Sequence, residues 1–230
     1  MTSELTPPPT PPATKPVGRP PRFQRDDIVA AGLALVAEHG MDGLGVRRLA
    51  TALGTTPATL YRHVGSQEQL MAAVVDAGLA EIELLDPPEP DELRDWLIEA
   101  TRRFRAGMLR YPGMADYLLL RGPSGPVGLT AMASICAVLA RTGRAPQQVA
   151  WAYDWLMTTV AVYTSKAERI ERVGGGPQVA KELVARGQHL EDDQLMAVLT
   201  EFRGDMSLSF DRATQTVIDV ILDPEGPLRS

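Results

Sequence analysis

One stretch of the sequence, Val46 to Leu70 (VRRLATALGTTPATLYRHVGSQEQL), predicts two short helices joined by a tight turn, followed by the start of a third helix. Apolar residues at positions 46, 49, 50 and 53 have the spacing of one helix face. Gly54 follows directly, where a left-handed cap favours a residue without a Cβ. Thr56 suits the N-cap of the next helix and Pro57 its first turn. The second helix has one apolar anchor, Leu60, so the pattern indicates a helix-turn-helix whose second helix enters the DNA major groove.

The segment from Arg25 to Leu70 resembles the DNA-binding domain of the TetR family of bacterial transcriptional regulators. The most specific part of the resemblance is the sequence from Leu60 to Val64, which contains a Leu-Tyr-x-His core. The other matching positions are Ile28, Ala31, Leu35, Gly40, Leu49, Ala50, Leu53, Gly54 and Leu70. The resemblance implies an all-α fold, with an N-terminal three-helix domain that contains the helix-turn-helix and a larger helical domain for ligand binding and dimerisation.

The composition is that of an ordinary globular protein, with 230 residues, 44% hydrophobic and 23% charged. The single cysteine, Cys136, excludes an intramolecular disulfide and a cysteine-rich metal site. No apolar run reaches the ~18 residues of a membrane span, and the N-terminus has no apolar signal core. We therefore expect a cytoplasmic protein, associated with the nucleoid when bound to DNA, with no cofactor, no metal and no membrane partner.

The net charge of −6 is distributed unevenly along the chain. Residues 1–65 hold seven Lys and Arg against five Asp and Glu, a net charge of +2, which leaves −8 for the remainder. A cationic domain attached to an acidic one favours contact between DNA and the first domain only.

The order of proline-rich and helical segments predicts four regions. These are a disordered Pro-rich basic arm at 1–22, the DNA-binding domain at 23–70, the ligand-binding and dimerisation domain at 71–224, and a tail at 225–230. The first helix is expected from about Arg25 to His39. The second helix of the helix-turn-helix, here called the recognition helix, is followed by a further helix. Ser66 is expected to cap this helix in a capping box with Gln69, and its apolar stripe continues toward Leu84 until prolines stop it. Helices in the larger domain are predicted at 91–111, 114–120, 127–141, 146–172, 179–186, 191–202 and 207–222, of which 127–141 is expected to be central and buried.

The arm ends in the sequence KPVGRPPR, in which Gly-Arg-Pro resembles the core of an AT-hook. Arginine in a narrow minor groove meets enhanced negative potential, so Arg19 and Arg22 are predicted to contact DNA there. The alternative is a solvated tail whose charges have no partner.

The family resemblance implies a set of DNA contacts in the second and third helices. Threonine hydroxyls can bond to several bases, whereas Tyr61 and His63 match phosphate contacts; packing at the turn is the alternative for those two. Relatives usually carry Lys where this chain has Gln67, so a charged phosphate contact becomes a neutral one. The full set of predicted contacts in these helices is Arg47, Thr55, Thr56, Pro57, Thr59, Tyr61, Arg62, His63 and Gln67.

No arrangement of residues indicates an enzyme. The histidines at 39, 63 and 189 lack metal-ligand spacing, and Gly-x-Ser-x-Gly, Gly-x-Gly-x-x-Gly and P-loop motifs are absent. Cys136 lies between apolar residues and is interpreted as a buried small hydrophobe rather than a nucleophile.

The larger domain contains the predicted effector and dimer residues. The family resemblance implies a ligand cavity between the helices that some of these side chains line, with a place in the core or on the surface as the alternative for each: Trp96, Arg103, Phe104, Met108, Met114, Tyr117, Met132, Trp151, Tyr153 and Trp155. The apolar faces of two long helices lie either in the core of the subunit or against a second copy, and the family resemblance favours pairing across a two-fold axis: Ala152, Leu156, Val160, Tyr163, Phe210, Ala213, Val217 and Val220.

The resulting interpretation is a repressor that binds a palindromic operator as a homodimer and releases it when a small, largely apolar effector binds. A ligand-independent DNA-binding dimer is the first alternative. A helical enzyme with an accessory DNA-binding domain is the second.

Overall fold

A computed structural model describes residues 24–187, 205–223 and 225–226. Within these ranges the chain forms ten α-helices and no strand, which confirms the predicted all-α class. The predicted helix at 191–202, the arm with Arg19 and Arg22, and most of the tail lie outside the described residues.

Three helices, here called the head, form the N-terminal domain: α1 (Arg25–His39), α2 (Val46–Ala52) and α3 (Pro57–Val64), with a 3₁₀ turn at Met41–Gly43. Each helix buries an apolar face in a shared core, whose fully covered side chains are Ile28, Val36, Leu49 and Leu60. The first helix has the predicted bounds.

Helix α4 (Gln67–Leu79) follows the head and packs against both α1 and the larger domain. Ser66 caps it through a bond from the Gln69 backbone N–H to the Ser66 hydroxyl, 3.1 Å long. The predicted capping box is only half formed, because the Gln69 side chain lies against Gly65 instead. The helix also ends at Leu79, earlier than predicted, and Leu84 is exposed beyond it.

Among the described residues, six further helices are here called the body: α5 (Leu93–Leu109), α6 (Met114–Arg121), α7 (Pro126–Ala140), α8 (Pro146–Arg172), α9 (Gly176–Gly187) and α10 (Met206–Leu222). Helix α8 is central, since α5, α6, α7 and α10 all pack against it. Arg144 fixes the end of α10 by donating to the carbonyls of Ile221 and Asp223.

The prediction that 127–141 is a central buried helix is wrong in part. Helix α7 covers Ile135 and Leu139, but Leu129 is 45% exposed and Ala133 and Ala137 are exposed as well. The all-round apolar sequence therefore gives a helix with one face in the core and one face open in the single chain.

The predicted dimer face is also corrected by the structure. Five of its residues have a relative exposure of 6% or less inside one chain: Ala152, Leu156, Val160, Phe210 and Val217. Helices α8 and α10 bury these faces against each other and against α5. The remaining three residues, Tyr163, Ala213 and Val220, are half-buried at the edge of this core.

Val217→Glu should therefore unfold the subunit rather than separate a dimer. A carboxylate at this buried position has no partner, and the cost of burying it is on the order of several kcal/mol. Urea denaturation followed by circular dichroism measures the loss. Gln215→Glu, which introduces the same group on a half-exposed face of α10, is the control and should stay near wild type. Equal stability of Val217→Glu and wild type would contradict this packing.

Candidate DNA interface and ligand cavity

The turn between α2 and α3 fixes the geometry of the helix-turn-helix. The Thr55 N–H donates to the Ala50 carbonyl at 2.9 Å and the Gly54 N–H to the Thr51 carbonyl at 3.1 Å, the two bonds of a Schellman cap. Gly54 has a φ of +60° with open space around it, so its role is conformational. Thr56 then caps α3 by accepting from the Thr59 N–H at 3.3 Å, as predicted.

Helix α3 has one buried side and one polar side. Leu60 and Val64 enter the head core, while Thr56, Pro57 and Arg62 are exposed, Tyr61 is 43% exposed, and Thr55, Thr59 and His63 are half-buried. The exposed polar groups are already ordered. The Thr59 hydroxyl lies 3.0 Å from that of Thr56 and accepts from the Arg62 guanidinium at 3.3 Å. This side of α3 can therefore present hydroxyl and cationic groups to a groove without further ordering.

Gln67 has a structural role that the sequence did not indicate. Its amide nitrogen donates to the Leu44 carbonyl at 2.9 Å, and its amide oxygen accepts from the Val46 N–H at 3.2 Å. The N-cap of α2 is Gly45, which has no side chain to serve this N–H. Gln67 supplies a partner for this N–H, so its side chain is engaged within the head, and the phosphate contact expected of it stays a prediction.

The arginines of the head differ from those of the body in their partners. Within the described part of the chain, Arg47, Arg48 and Arg62 are exposed and form no ion pair, whereas most arginines near the body surface face a carboxylate. Unpaired cations on one face are what a phosphate backbone requires. Arg48, absent from the predicted contacts, is also an exposed residue of α2, and its guanidinium donates to the Gly43 carbonyl at 3.3 Å.

A cavity of about 240 Å³ lies in the body between α4, α5, α6, α7 and α8. Most of its lining is apolar and includes three methionines, which adapt easily to the shape of a ligand. The polar residues of its lining are Tyr153, Asp154 and Thr158, of which Asp154 and Thr158 are also exposed to solvent. The lining residues are Leu79, Phe104, Met108, Leu118, Leu119, Gly122, Pro123, Gly128, Ala131, Met132, Tyr153, Asp154, Met157, Thr158 and Ala161.

Four of the ten predicted cavity residues line this space: Phe104, Met108, Met132 and Tyr153. The other six do not. Met114 is fully buried in the core and Tyr117 is half-buried outside the lining, while Trp151 and Trp155 point to solvent. Trp96 and Arg103 border a separate space of about 20 Å³.

Arg103 is also occupied by ion pairs with Glu83 and Glu99, and the Trp96 indole N–H donates to the Asp86 carbonyl at 2.7 Å. The sequence did not indicate Leu79, Leu118 or the Gly122–Pro123 turn as cavity residues. They come from separate elements that meet only in the folded chain.

Backbone and side-chain hydrogen bonds near the end of α1 join the head to the body. The Met41 N–H donates to the Pro112 carbonyl at 2.8 Å, and the next residue, Gly113, donates its N–H to the Glu168 carboxylate at 2.9 Å. Burial raises the pKa of Glu168, although the bond from Gly113 and the nearby Arg172 act in the opposite direction. The end of α1 is thus connected to the long helix α8 through one turn.

Metal binding and membrane insertion are two further properties that bear on function. Among the described residues, no three His, Cys, Asp or Glu side chains are placed to hold a metal ion. No single described helix is both long and apolar enough to cross a membrane, and only α6 and α7 taken together, across a 71° bend, have such a length and composition.

The sequence of the head matches the model of a known protein family. A family model described as bacterial regulatory proteins of the tetR family matches residues 28–74, which cover most of α1 and all of α2 and α3. Residues 28–74 of this chain therefore form a TetR-type DNA-binding domain. The comparisons support a TetR family transcriptional regulator, and the prediction that the protein is not an enzyme is confirmed by the regulators to which it is similar.

The similarity to TetR proteins extends into the body. A class G tetracycline repressor protein from Vibrio anguillarum is 27% identical over 208 residues, covering 86% of this chain and 98% of that protein. A class A tetracycline repressor protein from transposon 1721 of Escherichia coli is 34% identical over 115 residues, about half of each chain. The crystal structure of the Streptomyces coelicolor TetR family protein ActR in complex with actinorhodin superposes with a TM-score of 0.76 at 27% identity, covering 87% of this chain and 96% of that one.

Substitutions on α3 should separate positioning contacts from base reading. Tyr61→Phe and His63→Ala should weaken binding to all duplexes alike, because phosphate contacts carry no sequence information. Thr59→Ala should instead change base preference, at a cost of about 1–3 kcal/mol for the preferred site. Fluorescence anisotropy at fixed salt, with the preferred and a scrambled duplex, measures both effects. Unchanged affinity of Tyr61→Phe and His63→Ala would remove these side chains from the interface.

Proposed function

We propose that this protein is a ligand-responsive repressor that binds a palindromic operator as a homodimer and releases it when an effector occupies the body cavity. The single observation behind the proposal is that Leu79 of α4, the helix that follows the recognition helix, forms part of the cavity wall. A molecule in the cavity therefore touches the element that carries the head. The protein works in the cytoplasm, on the nucleoid when bound to DNA.

The relatives support this proposal. Two are named as tetracycline repressors, and ActR was crystallised with actinorhodin, which shows that a chain with this fold holds a small molecule. The alternative, a DNA-binding dimer that needs no ligand, leaves the body cavity without a role.

The cavity indicates the charge of its effector. Its lining contains no Lys, Arg or His, and its one ionisable acid is Asp154. Burial raises the pKa of Tyr153 to about 12, helped by the nearby Cys136 and Asp154, so its hydroxyl keeps its proton at neutral pH and can donate to an acceptor. The site thus suits a largely apolar molecule with a hydrogen-bond acceptor that is neutral or cationic. An anion would face Asp154 with no compensating cation.

Three probes that share one aromatic group test this preference: 2-naphthylmethanol, 2-naphthylmethylamine and 2-naphthylacetate. A ligand that binds only the folded state stabilises it by mass action, by about 2.7 kcal/mol at a hundredfold excess over Kd. We expect the alcohol and the amine to raise the thermal midpoint and the carboxylate to leave it unchanged.

Two variants test whether Asp154 and Tyr153 cause the preference among the three probes. Asp154→Asn should reduce the stabilisation by the amine and leave that by the alcohol near wild type, and Tyr153→Phe should reduce the stabilisation by the alcohol. If 2-naphthylacetate stabilised the protein most, the proposed effector charge would be contradicted. If none of the apolar compounds stabilised it, the ligand-independent alternative would be favoured.

A different face of α8 from the predicted one is available for dimerisation. Trp151, Trp155 and Val162 are 48%, 41% and 41% exposed, and their spacing places them on one side of the helix. A row of large exposed apolar side chains is typical of an interaction site. Two heads on a palindrome require an isologous interface, and this outward side of α8, beside the half-buried Ala213 and Val220 of α10, is our proposal for it.

Trp155→Glu should give a monomer with wild-type helix content, because the introduced charge would be desolvated at the centre of this interface. Ala150→Glu, an exposed position on another side of the same helix, is the control and should remain dimeric. Light scattering at micromolar concentration decides the result. A monomeric wild-type protein would refute the dimer, and a dimeric Trp155→Glu protein would exclude this face.

A further inference from the structure

Helix α7 begins on a carboxylate that belongs to another helix. Its N-cap is Gly125 and its first residue is Pro126, so no local side chain serves its first N–H groups. Asp76, in the second half of α4, takes that place. Its Oδ1 accepts from the Gly128 N–H at 2.8 Å and its Oδ2 from the Val127 N–H at 3.3 Å. A carboxylate in this position also faces the positive end of the α7 dipole.

The two elements touch too closely for any side chain to lie between them. A Cβ on Gly125 would lie 2.2–2.5 Å from the carboxylate atoms of Asp76. A Cβ on Gly128 would lie 2.7 Å from Pro123 Cβ and 3.1 Å from Leu79 Cδ1. The loop at 122–125 and the first turn of α7 are therefore seated directly on α4.

The contact of Asp76 with the loop at 122–125 and the start of α7, here called the joint, borders the cavity on both of its sides. Gly122, Pro123 and Gly128 line the cavity from the loop and α7, and Leu79, three residues after Asp76, lines it from α4. A molecule that fills the cavity presses on the loop and on α4 at once. The connection continues toward the head, because Val74 lies against Gly32 of α1, where an added Cβ would be 2.7 Å from Val74 Cγ2.

We propose that Asp76 is the positioning residue that couples the cavity loop to α4, and through α4 to the head. This inference rests on the proposed function, since it describes how cavity occupancy reaches the DNA-binding surface. With the carboxylate in place, the loop, the start of α7 and α4 move as one body. Without it, the loop moves independently of α4, and α4 loses a contact that fixes the position of the head relative to the body.

Amide hydrogen exchange of the full-length protein tests the coupling directly. Asp76→Ala should speed exchange in peptides covering both 122–129 and 67–79. Gly125→Ala should do the same, because its φ of −89° suits any residue and the nearest atoms to the added methyl group are those of the Asp76 carboxylate. Asp205→Ala removes an equivalent aspartate cap, which accepts from the Leu208 N–H at 2.9 Å at the start of α10, and should affect only that helix.

A functional measurement accompanies the exchange data, using a duplex selected by the wild-type protein from a random pool. Asp76→Ala and Gly125→Ala should lose roughly fivefold or more in affinity for this duplex, because a head that is no longer held must be ordered on binding. Asp76→Asn keeps one acceptor oxygen and should fall between them and wild type, while Asp205→Ala should bind as wild type does.

The outcomes distinguish this inference from the proposed function. Faster exchange confined to the start of α7, or unchanged duplex affinity in Asp76→Ala, overturns the coupling role and leaves the repressor function intact. A wild-type protein that selects no duplex overturns the proposed function itself, whatever the exchange pattern of α4.

Discussion

Helix α4 packs in two cores at the same time, and this constraint fixes the relation between the two parts of the molecule. Its first half buries Leu70 and Val74 against the head, and its second half buries Leu79 beside the cavity. Glycines allow the approach on both sides, since Gly32 admits Val74 and Gly78 admits Met114. A helix enclosed in this way cannot shift at one end without moving side chains at the other, because packed interiors contain few voids to absorb the change.

The head pairs backbone groups at the ends of its short helices and leaves its outer arginines without acidic partners among the described residues. Gln67 and the Schellman bonds at Gly54 account for backbone groups that its short helices would otherwise leave unpaired. The exposed arginines Arg47 and Arg62 have no acidic partner among the described residues, while body arginines such as Arg94 and Arg102 are paired with aspartates of α10. The acidic body thus neutralises its own cations, and those of the head stay available for phosphates.

The sequence-based predictions that were wrong about the body share one cause. The apolar stripes of α8 and α10 were correctly assigned as buried faces, but the core of the same subunit covers them, not a second copy. Trp151 and Trp155 were expected in a cavity and instead lie on the outer side of α8. Hydrophobic periodicity reports that a face is covered and does not report what covers it.

The sequence by itself determined the local structure: the bounds of α1 and α8, the caps at Thr56 and Ser66, the turn at Gly54 and the polar outer side of α3. These features follow from interactions between residues a few positions apart, and such interactions can be read from spacing. The tertiary structure alone decided the end of α4 at Leu79, the use of Gln67 as a cap for α2, the joint between Asp76 and α7, and which residues line the cavity. The two residues that carry the joint and the cap bond to groups 21 to 52 positions away. Such partners depend on how whole helices are arranged, because a side chain bonds to the group that packing brings within reach, and no local pattern encodes that distance.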